Sequence, residues 1–196
     1  MEATSSTQPT SIPHKISKGI RIIAGRLRDQ GLRTTGLWFT ERTTRILVGV
    51  SPERTSRVMK NLYVGGQHQR RGLKSMRARD ITACIDLRRE YGDVEHSLDL
   101  EHHLSIPTDD DNVPSFEELI HAAEFIRDEL AAGHGVYIHC ANGVGRAPSI
   151  AAAYLITTGL SAQAAWTTIR KARPFIRPTS VQREQIDRFE KQFRKD

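Results

Sequence analysis

Val136-Tyr137-Ile138-His139-Cys140-Ala141-Asn142-Gly143-Val144-Gly145-Arg146, followed by the apolar Ile150-Ala151-Ala152-Ala153-Tyr154-Leu155-Ile156, is the stretch that decides the fold. It reads as a buried strand, a tight loop and a helix. Glycines in such a loop are free to take positive φ, so its successive N–H groups can turn inward at the helix N-terminus and form an anion site. Cys140 at one end lies in that positive field, and Arg146 at the other adds a permanent charge and a planar fork that matches two phosphate oxygens. Such a field favours thiolate over thiol, which makes Cys140 a nucleophile at neutral pH. A site of this kind sets a thiolate against a bound dianion, as hydrolysis of a phosphate ester through a phosphocysteine requires.

The run His-Cys, five residues, Arg, with glycines at 143 and 145, resembles the signature of the cysteine-dependent protein tyrosine phosphatase superfamily, and the chain looks most like its small dual-specificity branch. The resemblance implies that Ala141, Asn142, Gly143, Val144, Gly145 and Arg146 bind the phosphate, and that His139 orders the loop and tunes the thiolate from behind. It also implies a three-layer α/β sandwich with a mixed, mainly parallel sheet between helices.

A thiolate that attacks phosphorus expels an alkoxide or phenoxide, so a proton donor is needed on the far side of the phosphate. The family supplies an aspartate from a loop upstream of the cysteine, and Ile106-Pro107-Thr108-Asp109-Asp110-Asp111-Asn112 matches that loop. Aligning Ile-Pro-Thr to the family pattern selects Asp110, with Asp109 and Asp111 as alternatives. One position departs from the pattern. Most of the family carries Ser or Thr directly after the arginine, where the hydroxyl helps the sulfur leave; here it is Ala147, with Ser149 as a substitute.

The chain has 196 residues, a length that suits one domain plus an extension. Its two cysteines, Cys84 and Cys140, exclude a disulfide framework and point to a reducing compartment, the cytoplasm. Cys84 lies in an apolar strand-like run, where a core role outweighs the alternative of resolving an oxidised Cys140. No apolar run approaches the length of a membrane span. The net charge is +6, but residues 1–60 hold eleven Lys or Arg against four acids, so the basicity belongs to the N-terminal part.

Residues 1–13 are Ser-, Thr- and Pro-rich and are expected to be disordered. In Lys15–Arg28, Ile16, Ile20, Ile23 and Leu27 recur at helical spacing among basic residues, and Leu37-Trp38-Phe39 and Ile46-Leu47-Val48 follow with Arg42 and Arg45 between them. Three expectations compete for residues 15–48: peripheral attachment to an anionic membrane surface, packing back on the catalytic domain, and an organelle transit segment. No nucleic-acid reading motif accompanies the charge, so nucleic acid is not an expected partner.

Residues 1–56 are thus expected as a basic extension, partly disordered, and 57–196 as the catalytic domain. Within the latter, Asn61–Gln67 reads as the entry strand, about 69–79 as a short helix, Ile81–Leu87 as a strand covered on both faces and Leu104–Pro107 as another strand. Leu87-Arg88-Arg89-Glu90 resembles the polar segment that the family places after its central strand. Ser115 and Glu118 form a capping box for a helix carrying Phe116, Leu119, Ile120, Ala123, Ile126 and Leu130 on one face. Ala162, Ala165, Trp166 and Ile169 mark a further helix, and Ile186, Phe189 and Phe193 a last one starting near Thr179 or Ser180.

His102 and His103 point to opposite faces of a strand and cannot share one metal. No metal-ligand spacing is present, and the mechanism asks for neither metal nor cofactor. The substrate expected by default is a phosphorylated protein, on Tyr and on Ser or Thr, with another phosphomonoester such as a phospholipid head group as the alternative. The loop carries no Lys or second Arg between Cys140 and Arg146, which argues against highly phosphorylated inositol lipids. A rhodanese-like sulfurtransferase and a weakly active phospho-binding module are the rival readings; the acid loop opposes the first, and Ala147 keeps the second in play.

Overall fold

The computed structural model describes residues 12–194, with side chains from residue 20 onward. The expectation of disorder for residues 1–13 therefore lies almost wholly outside the described residues. Five strands form one sheet: β1 (Arg57–Met59), β2 (Leu62–Gly66), β3 (Ile81–Arg88), β4 (His102–Thr108) and β5 (Gly135–Cys140), in the spatial order β1-β2-β5-β3-β4. β1 pairs antiparallel with β2, and the other three pairings are parallel. The helices are α1 (Ile12–Val48), α2 (Arg70–Arg77), α3 (Phe116–Ala131), α4 (Arg146–Thr157), α5 (Ala162–Ala172) and α6 (Ser180–Phe193). The architecture is a mixed, mainly parallel sheet flanked by helices.

β5 is buried at every residue and β3 nearly so, which is why both read as unbroken apolar runs rather than as alternating strands. On one face, Ile85, Leu87 and Ile138 meet Leu119 and Ile126 of α3, Ile150 of α4, Ile169 of α5 and Phe189 of α6. On the other, Tyr63, Cys84 and Tyr137 pack with Val50, Met76 and Leu100. Cys84 and Cys140 thus belong to the cores on opposite faces of the sheet. Burial raises the Cys84 thiol pKa, so Cys84 is a core residue and not a partner for Cys140.

Local rules place most helix ends. Ser115 and Glu118 cap α3 reciprocally, and Thr179 and Gln182 do the same for α6. β4 runs from His102, longer than Leu104–Pro107, and the short edge strand β1 had no sequence signal of its own.

α1 is two helical arms joined at Gly31, whose φ of 77° and ψ of 170° break the helical path at a conformation that glycine adopts without strain. The arms lie on the sheet and its helices through Arg26, Thr35, Trp38, Glu41 and Arg45, all buried. Arg26 donates to the Phe175 carbonyl at 3.2 Å, and Arg45 to the Gln67 carbonyl at 3.0 Å. The outward side carries Ile20, Leu32, Phe39, Ile46 and Leu47, all exposed.

Candidate active site

The loop from Cys140 to Arg146 joins β5 to α4 at the end of the sheet. Gly143 sits at φ +64°, and a Cβ there would lie 2.2 Å from the Gly65 carbonyl oxygen, so backbone conformation and space both demand glycine. Behind the loop lies Arg173, fully buried at the end of α5. It donates Nε–H to the Gly143 carbonyl at 3.0 Å and a terminal N–H to the Thr55 carbonyl at 2.6 Å, with a longer bond of 3.4 Å to the Asn142 carbonyl.

A trans peptide points its C=O and N–H in opposite directions. Carbonyls drawn back to Arg173 therefore turn the following N–H groups forward. The Gly143 N–H accordingly reaches the Cys140 sulfur at 3.3 Å. By the same geometry the Val144 N–H faces the cavity that Val144 lines.

Arg146 begins α4 and is 1 % exposed. It donates to the Leu87 and Thr108 carbonyls at 3.1 and 2.7 Å and to both Glu90 oxygens at 3.2 and 3.1 Å. Burial opposes the charge on Glu90, yet the hydrogen bonds from Arg146 and Arg88 hold its carboxyl down at about 2. The Glu90 carboxylate and the Leu87 carbonyl thus anchor Arg146. The Arg146 Nε is buried and has no protein partner among the described residues, which leaves one donor for a ligand.

The acid loop separates the three aspartates. Asp110 reaches Arg146 at 3.0 Å and is itself largely exposed. Asp109 turns away to Arg89 at 2.8 Å. Asp111 has φ +64°, and its carbonyl accepts from the Thr179 hydroxyl at 3.1 Å. Asp110, Asp111, Cys140, Arg146, Arg177 and Gln182 share one cavity of about 90 Å³ with the loop, a size suited to a phosphoryl group.

The match to known proteins agrees with this geometry. Residues 62–192 match the family model of the dual-specificity phosphatase catalytic domain. The chain belongs to that family.

Among its relatives, this dual-specificity phosphatase domain is 23 % identical over 134 residues to protein phosphatase Slingshot homolog 3 of Rattus norvegicus, an alignment that covers 68 % of this chain and 20 % of the relative. It is 36 % identical over 74 residues to phosphatidylglycerophosphate phosphatase PTPMT1 of Arabidopsis thaliana, covering 37 % of this chain and 22 % of that one. The chain thus spans about a fifth of the length of these curated relatives. In three dimensions it resembles the crystal structure of PTPMT1 with a TM-score of 0.62 at 23 % identity, covering 71 % of this chain and 96 % of that one. The active form of Tk-PTP aligns with a TM-score of 0.63 at 27 % identity, covering 69 % and 95 %.

His139, which precedes the cysteine, is fully buried and donates Nε2–H to Asp93 at 2.7 Å, with Asp86 at 3.9 Å from its other nitrogen. Burial opposes the charge on Asp93, but the contacts with His139 and His68 and the Gln67 amide hold its carboxyl well below the usual range. Ala147 is buried, and the Ser149 hydroxyl donates to the Gly145 carbonyl at 3.1 Å rather than to the sulfur. The sulfur's bond comes from the Gly143 amide instead.

Sequence reasoning missed Arg173, and with it Glu41, which lies 3.5 Å from the Arg173 guanidinium while accepting from Ser51 at 2.6 Å. No local pattern marks either residue, because their pairing joins α1 to the end of α5. Among the described residues the fold also gathers three groups with metal-ligand chemistry that spacing did not reveal: His68, Asp93 and His139; Cys84, Asp93 and His103; and His102, Glu129 and His134. His102 and His103 fall in different groups, as their opposite faces on β4 require.

Proposed function

We propose that this chain hydrolyses phosphomonoesters through a phosphocysteine intermediate. The observation that carries this reading is that Cys140, Arg146 and Asp110 line one phosphate-sized cavity floored by inward-turned loop amides. The Cys140 thiolate attacks phosphorus as the ester P–O bond breaks. Asp110 gives its proton to the departing oxygen. The loop amides of residues 141–145 and the Nε–H of Arg146, the donor its protein partners leave over, hold the equatorial oxygens, where charge is spread in the transition state. Water then attacks the phosphocysteine, its proton passes to Asp110, the S–P bond breaks, and inorganic phosphate leaves with the thiolate restored. His139 holds the end of β5 in place through Asp93. No metal or cofactor enters this sequence of steps.

In this reading residues 57–196 carry the chemistry, the partner is a phosphomonoester substrate, and the setting is the cytoplasm with residues 15–48 at a membrane surface. Two buried, unpaired cysteines support a reducing compartment. Among the described residues no helix is long and apolar enough to cross a membrane.

Steady-state hydrolysis of an aryl phosphate across pH tests the reading. Cys140→Ser is expected to abolish turnover, and Asp110→Asn to lower kcat by about 10²–10⁴ and remove the basic limb of the kcat/KM profile, which reports the step where Asp110 is the acid. Acid-quenched protein should carry a phosphoryl group on Cys140. Full activity in Cys140→Ser would overturn it.

A further inference from the structure

The helical arms of α1 are inside out. Their buried side presents Arg26, Thr35, Glu41 and Arg45 to the catalytic unit, whereas Leu32, Phe39 and Leu47 on the outside are 80, 57 and 70 % exposed. A surface helix normally does the reverse, and contiguous exposed apolar surface marks a contact with something else.

Between the two arms and the phosphate loop lies a second cavity of about 360 Å³, within the range of small-molecule sites. Its walls are Ile22 and Ile23 of the first arm and Trp38 and Phe39 of the second. Its floor is Asn142, which also lines the phosphate cavity, so the two spaces adjoin. Arg42 donates to the Asn142 side chain at 2.6 Å, across that junction.

The cavity also holds positive charge that, among the described residues, no acid pairs with. Arg26 is 5 % exposed, lies 4.4 Å over the Trp38 ring and donates to Gln30 and the Phe175 carbonyl. Among the described residues neither Arg26 nor Arg42 has a carboxylate within 4.0 Å, whereas Arg177 beside them pairs with Asp29. Burial, together with the charges of Arg177 and Arg42, pushes the Arg26 pKa down to about 10. A buried cation in that setting is stabilised by an incoming anion.

We infer that this cleft receives the body of an amphiphilic lipid phosphomonoester: its terminal phosphate over Cys140, a second anionic group at Arg26 and Arg42, and the first chain methylenes along Ile22, Ile23 and Phe39. This inference rests on the phosphomonoester reading above and names the substrate class for the same site. The outer apolar face of α1 then lies at the lipid surface from which the substrate is drawn. A phosphopeptide fits the cleft less well. Its backbone brings N–H donors, and the cleft answers them with apolar walls and two cations. The absence of cations within the loop does not count against an anionic lipid, because α1 supplies them from outside it.

The test uses the whole chain and four probes: an aryl phosphate, dihexanoyl phosphatidylglycerophosphate kept below its micelle concentration, the same compound without its acyl chains, and a phosphotyrosine peptide. The acylated probe is expected to show a kcat/KM at least about tenfold above that of the deacylated one, the effect of burying about two methylenes. Phe39→Glu should collapse that ratio towards one. Arg42→Gln should lower kcat/KM for both glycerophosphate probes relative to the aryl phosphate. Calorimetric binding of the acylated and deacylated probes to the Cys140→Ser protein reads the cleft without any turnover.

Equal affinity for the two glycerophosphate probes, or preferred turnover of a phosphotyrosine peptide over the acylated probe, overturns the inference while leaving the phosphatase reading intact. Loss of aryl phosphate hydrolysis in the unmodified chain overturns that reading instead, and the binding arm still decides the cleft.

Discussion

Arg173→Met removes the group that holds the phosphate loop from behind. Two good hydrogen bonds from a charged donor disappear, at 3.0 Å to Gly143 and 2.6 Å to Thr55, each worth about 1.5–3 kcal/mol. Glu41, 1 % exposed at its side chain, loses one of two cationic neighbours and keeps only Arg45 at 3.5 Å. Breaking a buried pair from one side costs about 3–5 kcal/mol. These contributions overlap, and the desolvation of the guanidinium, which lowers the Arg173 pKa, is relieved in the variant. The net expectation is a loss of about 3–5 kcal/mol. At a urea slope of about 2 kcal/mol/M, that moves the unfolding midpoint down by about 1.5–2.5 M. Glu41→Gln in the same background should restore part of the loss, with a coupling of about 1–3 kcal/mol in a double-mutant cycle. Affinity for vanadate, a phosphate mimic, should fall in parallel because the loop carbonyls are no longer held back. A midpoint shift under about 0.5 M, or strictly additive changes in the cycle, would refute the idea that Arg173 and Glu41 act as one unit beneath the loop.

Two further outcomes follow from the site. His68 is held neutral by burial and by the neighbouring His139, with Asp93 opposing, so its pKa drops from 6.5 to about 4. Below pH 6.5 the unfolded chain binds the proton that the folded one refuses, so stability should fall as pH drops from 6.5 towards 4, by at most about 3 kcal/mol; thermal melts over that range should show the fall, and His68→Gln should flatten it. With no hydroxyl on the sulfur, breakdown of the phosphocysteine is expected to limit turnover. Rapid mixing with an aryl phosphate should then release a burst of phenol equal to the enzyme present, and Ala147→Ser should shrink the burst and raise kcat about tenfold; a linear time course in the unmodified chain contradicts this.

The parts of the molecule legible in the sequence are those whose cause is local. The run from Val136 to Arg146 carries strand, turn and anion loop together, because backbone conformation at Gly143 and the chemistry of Cys140 and Arg146 are properties of neighbours in the chain. The capping box at Ser115 and the apolar face of α3 likewise follow from spacings of three and four residues. Asp110 could be aligned but not separated from Asp109 on local grounds, since three consecutive carboxylates look alike until Arg89 and Arg146 pull two of them apart.

Which face of the N-terminal segment packs on the rest of the protein became visible only in three dimensions. By composition residues 15–48 are a basic amphipathic stretch with three competing readings. Folding turns that stretch so that charges face inward to Arg173, Ser51 and the Gln67 carbonyl, and apolar side chains face outward around a cleft that opens on the phosphate loop. The physical reason is that a helix shows which side chains lie on one face but not which face meets the protein. That choice belongs to partners a hundred or more residues away, Asn142 and Arg173 among them, whose positions exist only once the sheet has closed.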